Sequence, residues 1–380
     1  MSNRRRPREA RKLRFLRFPH CPNSKCPFHQ PDPAWRYTKI GFFERPSDHR
    51  RFRRFRCQHC RRSFSTRTFS ADYWLRYRRL FPRIANLSVN GPGLRQVGRI
   101  LDISHATVGR HLARAGRHCL LFQRERLGSV SIDEPLVIDG FETFEYSQYF
   151  PFHMNLAVGA KSWMIYHFTD SPLRRKGTMT VEQQQTREKL ERQLGRPDPK
   201  AVQEGIVQLL EPLLSAPSAT DLFLDSDDHP AYRRALAQLR RRHPQRNIHH
   251  RITPSVVRRT TSNPLFPVNL ADLLLRHSGA NHRRETIAFS KRRQCALERL
   301  AVLAVWRNWI KRRREKEAGR TAAQAANLAD RPLSWAEVLK KRRFPRAHLL
   351  PGPWSDYYWR RVKTAVLGEK QTEHSLAYAF

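Results

Sequence analysis

Val130-Ser-Ile-Asp-Glu-Pro-Leu-Val-Ile-Asp139 is where the chain changes character, from arginine-rich helical patterning to apolar, strand-like runs. Its Leu-Val-Ile core is β-branched and apolar, is preceded by a proline and ends on a carboxylate, which reads as a buried strand delivering Asp139 at its end. Met154-Asn-Leu-Ala-Val-Gly159 and Ser162-Trp-Met-Ile-Tyr-His-Phe-Thr169 read as two further strands. Two helical stretches follow, a Gln-rich one over Thr180–Leu194 and one over Lys200–Leu214 that is interrupted by Gly205 and Pro212. Asp221-Leu-Phe-Leu-Asp-Ser-Asp-Asp-His-Pro-Ala-Tyr232 then gives a short strand, an acidic turn and the start of a basic helix. Strands followed by helix, strand and helix predict a mixed α/β layer fold beginning near residue 128.

Upstream, Gly93-Leu-Arg-Gln-Val-Gly-Arg-Ile-Leu-Asp-Ile-Ser-His-Ala-Thr-Val-Gly-Arg-His-Leu112 carries two helical patterns. Leu94, Val97 and Leu101 mark the first, a break falls at Asp102-Ile103, and Ser104 stands where it would N-cap a second helix bearing Val108 and Leu112. The spacing predicts a helix-turn-helix within residues 71–127, with His105, Thr107, Arg110 and Arg114 on the face from which a recognition helix reads a major groove. A plain helical hairpin is the alternative.

Nearer the N-terminus, Cys21-Pro-Asn-Ser-Lys-Cys26 and Cys57-Gln-His-Cys60 supply two pairs of thiols at metal-ligand spacing. Together they predict a zinc ribbon over residues 21–70, in which Cys21, Cys26, Cys57 and Cys60 hold a structural Zn²⁺. A disulfide framework fits less well, because the chain is long, poor in cysteine and has no apolar secretory segment. Cys119 and Cys295 read as buried small hydrophobes. Between the pairs, Trp35 to Arg45 and Arg51 to Cys57 alternate bulky and basic residues at period two, as expected of strands. Tyr37 and the phenylalanines read as core rather than as base-stacking groups. Residues 1–20 read as a basic arm.

The 380 residues include 73 Lys and Arg against 33 Asp and Glu, a formal charge of +40. Such an excess points to a polyphosphate partner, and a compact enzyme acting on an acidic substrate does not need it. No run of eighteen apolar residues occurs, and cytoplasmic location is expected. An RNA reader is a weaker reading because no stacking-module motif is visible.

Two-metal phosphoryl transfer needs carboxylates on rigid elements, because their oxygens hold Mg²⁺ ions against the reacting phosphate. Asp139 is the first candidate. Asp227 is the second, with Asp225 and Asp228 as rivals in the same turn, and a third acid is expected on a helix that begins near Phe289.

With Asp227-Asp-His-Pro-Ala-Tyr232, Thr286-Ile-Ala-Phe-Ser-Lys291, Phe289-Ser-Lys-Arg-Arg-Gln-Cys-Ala-Leu-Glu298 and the aromatic Trp306-Arg-Asn-Trp309, the order of motifs resembles the DDE transposases of short bacterial insertion sequences. These have an N-terminal zinc finger and helix-turn-helix. The resemblance spans most of residues 20–315. It implies a ribonuclease H-like catalytic domain over 128–315, two catalytic Mg²⁺ ions, and DNA cleavage and strand transfer at inverted repeats. It also implies a homodimer or higher oligomer on double-stranded DNA. It assigns Asp139 and Asp227 as catalytic metal ligands, with Asp228 where the family usually has glycine. The family's glutamate falls at Gln294; Glu298, one turn or about 5.4 Å further along the helix, is the choice for the third ligand, and Glu285 is the rival.

Arg174-Arg-Lys176 and Arg283-Arg284 are candidate phosphate clamps, with solvated surface charge as the plainer reading. Residues 316–380 read as a basic C-terminal extension. A DNA-binding regulator, or a catalytically inactive transposase relative, is the competing function; it needs only the first third of the chain.

Overall fold

The computed structural model describes residues 18–46, 49–128, 130–215, 221–283, 286–314 and 319–370. Most of the expected basic arm, together with Arg284 and Glu285, lies outside these residues. The chain divides into two compact units, residues 1–68 and 69–379.

In the first unit β1 (Tyr37–Arg45), β2 (Arg50–Cys57) and β3 (Ser63–Ser65) form one antiparallel sheet in the order β1-β2-β3. The core is aromatic: Phe18 stands edge-on to Phe55 at 4.8 Å, and Phe55 stacks on Phe64 at 5.5 Å. Tyr37 packs among them, as the sequence suggested. Phe42 and Phe43 do not. The β1–β2 register shifts between Lys39 and Phe42, where Gly41 has φ +97°, and beyond that bulge both rings are exposed. A bulge inserts a residue and so changes which side chains face the core. Arg51 and Arg53 lie over the Phe42 ring at 4.9 and 4.3 Å.

The second unit is mixed α/β. Helices α1 (Phe81–Ser88), α2 (Leu94–Leu101) and α3 (His105–Leu127) come first. The strands β4 (Leu136–Phe144), β5 (Pro151–Gly159), β6 (Ile165–Pro172), β7 (Asp221–Ser226) and β8 (Asn247–Ile252) make a sheet of order β6-β5-β4-β7-β8. The β4–β5–β6 meander is antiparallel, whereas β4–β7 and β7–β8 are parallel. Parallel pairs need crossovers, and helices α4 (Val181–Leu194) and α5 (Ala201–Leu214) span the first while α6 (Pro230–Arg242) spans the second. Thr180 and Gln183 close a capping box on α4, and Pro230 opens α6 at a position where its missing N–H costs nothing. Helices α7 (Phe266–Ser278) and α8 (Arg293–Val305) follow, α7 against β4 and β5 and α8 against α3.

Two expected boundaries are not boundaries in the packing. Helix α3 is 23 residues long: Val108 and Leu112 pack with Ile84 and Val97, while Cys119, Leu120, Leu121 and Phe122 enter the main core beside the sheet. The helix ends at Leu127, where the division was expected, but its second half already packs into the core beside the sheet. The expected C-terminal extension forms α9 (Ala322–Ala325), α10 (Trp335–Val338) and α11 (Gly352–Trp359), and buries Trp335, Val338, Trp354 and Tyr357 in the same core. Trp354 Nε1 donates to the Phe168 carbonyl at 2.9 Å, and Tyr357 Oη to Asp170 Oδ1 at 2.6 Å. Its arginines hid an aromatic stripe whose burial outweighs the surface charge.

Candidate functional site

The sulfur atoms of Cys21, Cys26, Cys57 and Cys60 all lie within 4.8 Å of one another, and none is in a disulfide. A tetrahedral zinc with bonds of about 2.3 Å separates its sulfurs by roughly 3.8 Å; Cys21 and Cys60 are 3.6 Å apart. The donor set fits, and these four residues can hold a metal ion such as zinc. The sulfurs differ in their surroundings. Burial pushes Cys21 upward and Cys26 to about 11. Burial also opposes the Cys57 thiolate, but the Trp35 indole N–H at 3.3 Å and the backbone N–H groups of Cys60 and His59 outweigh it and bring Cys57 to about 7. Two thiols raised by burial beside one favoured thiolate make a set that a cation completes.

On α2 and α3 the expected cap is present: Ser104 Oγ accepts from the Thr107 N–H at 3.2 Å, and Asp102 turns the chain in a left-handed conformation. His105 and Arg110 are exposed on the first turns of α3, and Thr107 is half-buried beside its cap. Arg114 does not share that face. Its Nε and Nη2 donate to the carbonyls of Ala71 and Tyr73 at 3.1 and 3.2 Å, and burial lowers it to about 10. Helical spacing put Arg114 in line with Arg110, but the segment before α1 wraps over it, which no helical pattern reveals.

The acidic centre is assembled by the sheet. Asp139 on β4 and Asp227 just beyond β7 belong to neighbouring parallel strands and repel one another; burial, then this repulsion, raises Asp139 against the pull of the Gly140 N–H. Tyr232 on α6 has its Oη 3.4 Å from Asp139 Oδ1 and also feels Asp227. Gly140 lets β5 come close, since a Cβ there would stand 2.2 Å from the Met154 carbonyl and 2.8 Å from the His153 ring. His153 is tied down. Asn155 Nδ2 donates to Thr169 and Ser171, which leaves Asn155 Oδ1 to accept from His153 Nδ1 at 2.8 Å. His229 caps α6 through Nδ1, so its neutral form carries the proton on Nε2; burial lowers it against the attraction of Asp227.

Asp272 on α7 is the third acid facing Asp139, and the sequence reading missed it. Burial and then repulsion by Asp139 hold its carboxyl well above the usual range, opposed by Arg276 and Arg259, and its Oδ1 is buried without a hydrogen-bond partner. Asp139, Asp227 and Asp272 all act on Tyr232. Among the described residues the four cysteines are the group of three or more side chains gathered as a metal site, and the three aspartates are not gathered in that way. The missed signal was α7 itself: Val268, Ala271 and Leu275 at helical spacing bury one face and set Asp272 beside it.

Glu298, expected as the third ligand, points elsewhere. Its Oε1 lies 3.1 Å from Arg360 Nε and accepts from Gln294 Nε2 at 3.3 Å; the charges that oppose its burial are Arg360 and Arg117. Its backbone lies against Gly116 of α3, where a Cβ would come within 2.4 Å of the Glu298 carbonyl oxygen. The α3–α8 crossing thus turns Glu298 into a helix interface. The rival carboxylates of the acidic turn are also engaged, Asp225 by Arg251 at 2.5 and 2.9 Å and Asp228 by Arg233. Of the expected clamps, Arg174 pairs with Glu191, Arg175 donates to Gln183 and lies over Tyr149, Lys176 is exposed and acts on His229, and Arg283 is exposed.

No known family model matches the chain, and no curated protein matches it in sequence. Among the described residues no helix is long and apolar enough to cross a membrane.

Proposed function

We propose that the chain is a metal-dependent DNA strand transferase of the DDE transposase kind, binding the ends of its own element. The observation that carries the reading is the placement of Asp139 and Asp227 on neighbouring parallel strands, near enough for Asp227 to raise Asp139. Strand order supports a ribonuclease H-like domain, with three antiparallel strands first and two parallel strands added beside the first of them. The four-cysteine cluster supports a zinc ribbon, and the capped α3 with exposed His105 and Arg110 supports groove reading by a helix-turn-helix.

Asp139, Asp227 and Asp272 are the residues that would hold Mg²⁺, whose charge stabilises attacking and leaving oxygens at a phosphodiester. The chain's own groups supply the rest. Burial and Asp227 raise Asp139, and burial and Asp139 raise Asp272, so a bound cation would favour the ionised forms that the protein by itself disfavours. His229, neutral with its proton on Nε2, can donate to a phosphate oxygen, and Lys176 adds a positive charge on the same side. The Tyr232 hydroxyl, 3.4 Å from Asp139 Oδ1, steadies that carboxyl.

Gln294, where the resemblance calls for glutamate, together with the Glu298–Arg360 pair, favours a second reading as a DNA-binding regulator with a degenerate catalytic domain. One experiment separates them. Purified protein is incubated with its element ends and Mg²⁺ or Mn²⁺; strand cleavage that Asp139→Asn abolishes while end binding persists supports the enzyme, and binding without cleavage supports the regulator.

A further inference from the structure

A cavity of about 190 Å³ lies between the Leu173–Arg175 loop, α4 and the start of α8. Six cationic side chains line it, Arg174, Arg175, Arg187, Arg196, Arg293 and Lys363, against the two carboxylates Glu145 and Glu191. Those carboxylates are already used. Glu191 is held bidentately by Arg174 at 2.7 and 3.1 Å and by Arg196 at 2.7 Å. Glu145 accepts the Arg293 backbone N–H at 2.8 Å and the Thr364 hydroxyl.

Three guanidinium nitrogens remain buried without a hydrogen-bond acceptor: Arg175 Nη1, Arg187 Nε and Arg293 Nε. Arg187 Nε is 3.6 Å from Glu191, and Arg293 Nε is 3.3 Å from Asp170, which balances charge without completing the N–H bonds. Arg175 is steadied from two sides, by Gln183 at 3.2 Å and by the Tyr149 ring at 4.9 Å. Six cationic side chains against two carboxylates that are already engaged leave the walls of the cavity with an excess of positive charge, which suits a ligand with several oxygens and negative charge. Guanidinium groups held in place by neighbours match the tetrahedral oxygens of phosphate.

We infer that this cavity binds a backbone phosphate of nucleic acid, an inference that rests on the proposed DNA-binding function. The loop that supplies Arg175 continues directly into Lys176, which acts on His229 of the acidic centre. A strand whose phosphate sits in the cavity is thereby led toward the aspartates.

The test uses the full chain, the Arg175→Gln variant and the Arg175→Gln/Arg187→Gln pair, with Arg175→Lys as a charge-preserving control. Affinity for a DNA duplex is measured against salt, and thermal stability is measured in inorganic phosphate and in chloride at matched ionic strength. The double variant is expected to show a log affinity–log salt slope shallower by about one, while Arg175→Lys keeps the wild-type slope. An unchanged slope in a folded double variant overturns the assignment. Loss of phosphate-specific stabilisation with an unchanged slope also overturns it, in favour of free phosphate as the ligand. Wild-type protein that binds no duplex defeats the DNA-binding function itself, and wild-type protein that binds but does not cleave defeats only the enzyme, leaving the cavity result standing.

Discussion

Asp272→Asn should stabilise the folded protein and abolish cleavage, whereas Glu298→Gln should destabilise it and leave cleavage per folded molecule intact. Asp272 is held well above the usual carboxyl range by burial and by Asp139, and its Oδ1 has no hydrogen-bond partner, so ionising it at neutral pH costs folding energy. The sign follows directly: with the folded-state value above the unfolded one, stability is lost as pH rises past the unfolded carboxyl range, and an amide removes that loss. Removing the ionisation is worth up to about 1.4 kcal/mol for each pH unit between the unfolded carboxyl value and the assay pH. Burial raises Glu298 as well, but it differs from Asp272 in its partners: Arg360 at 3.1 Å, Arg117 and Arg299 oppose the shift, and Gln294 donates to its carboxylate. Neutralising it leaves buried guanidinium charge unpaired, at a cost of about 3–5 kcal/mol. With an unfolding entropy of about 2.1 cal/mol/K per residue, each kcal/mol moves the melting temperature of a unit this size by roughly 1–2 °C. Melting of the metal-free variants, with cleavage assayed well below the transition, gives both readouts. A destabilised Asp272→Asn variant, or one that cleaves normally, refutes the placement of Asp272; a Glu298→Gln variant that melts like wild type but cannot cleave restores Glu298 as the third ligand.

Removing metal with a chelator, or replacing Cys57 by Ser, should unfold the first unit, since its core is little more than Phe18, Trp35, Tyr37, Phe55 and Phe64 around the four thiols; near-ultraviolet circular dichroism and metal analysis check this, and a chelated protein that keeps its aromatic signal and binds no zinc is the contrary result. Arg110→Ala should weaken binding to element ends more than to random duplex, while Arg114→Ala should chiefly lower stability by about 1–3 kcal/mol through the unpaired carbonyls of Ala71 and Tyr73; competition binding and melting curves separate the two. His167 is buried, stacks on Trp354 at 4.6 Å and is held at about 3 by burial, so its contribution is present above the unfolded value near 6.5 and is lost as pH falls toward 3. His167→Phe should therefore flatten the change in stability between pH 6 and 4 by roughly 1 kcal/mol per unit relative to wild type; identical slopes in denaturant titrations count against it.

What the sequence alone determined is what short-range chemistry dictates. Paired cysteines at ligand spacing converge because tight turns leave each pair little choice, and the second pair is carried to the first by a hairpin. Ser104 caps α3, and apolar runs separated by helical periodicity give a mixed α/β unit with Asp227 beyond β7; Asp139, expected at the end of its strand, lies within it, because pairing with β5 carries β4 on to Phe144. These signals are local, and the backbone honours them. Tertiary packing decided the rest. Whether Glu298 or Asp272 faces Asp139 depends on which side of α8 meets α3 and which side of α7 meets β4, and both helices are apolar on a face wide enough to permit several rotations. The contact of Gly116 with the Glu298 backbone fixes that rotation for α8, through residues 182 positions apart. Arg114 and the aromatic residues after 319 follow the same rule: a side chain's charge or ring announces what it can do, and only the neighbours that cover it determine whether it meets a ligand or fills the core.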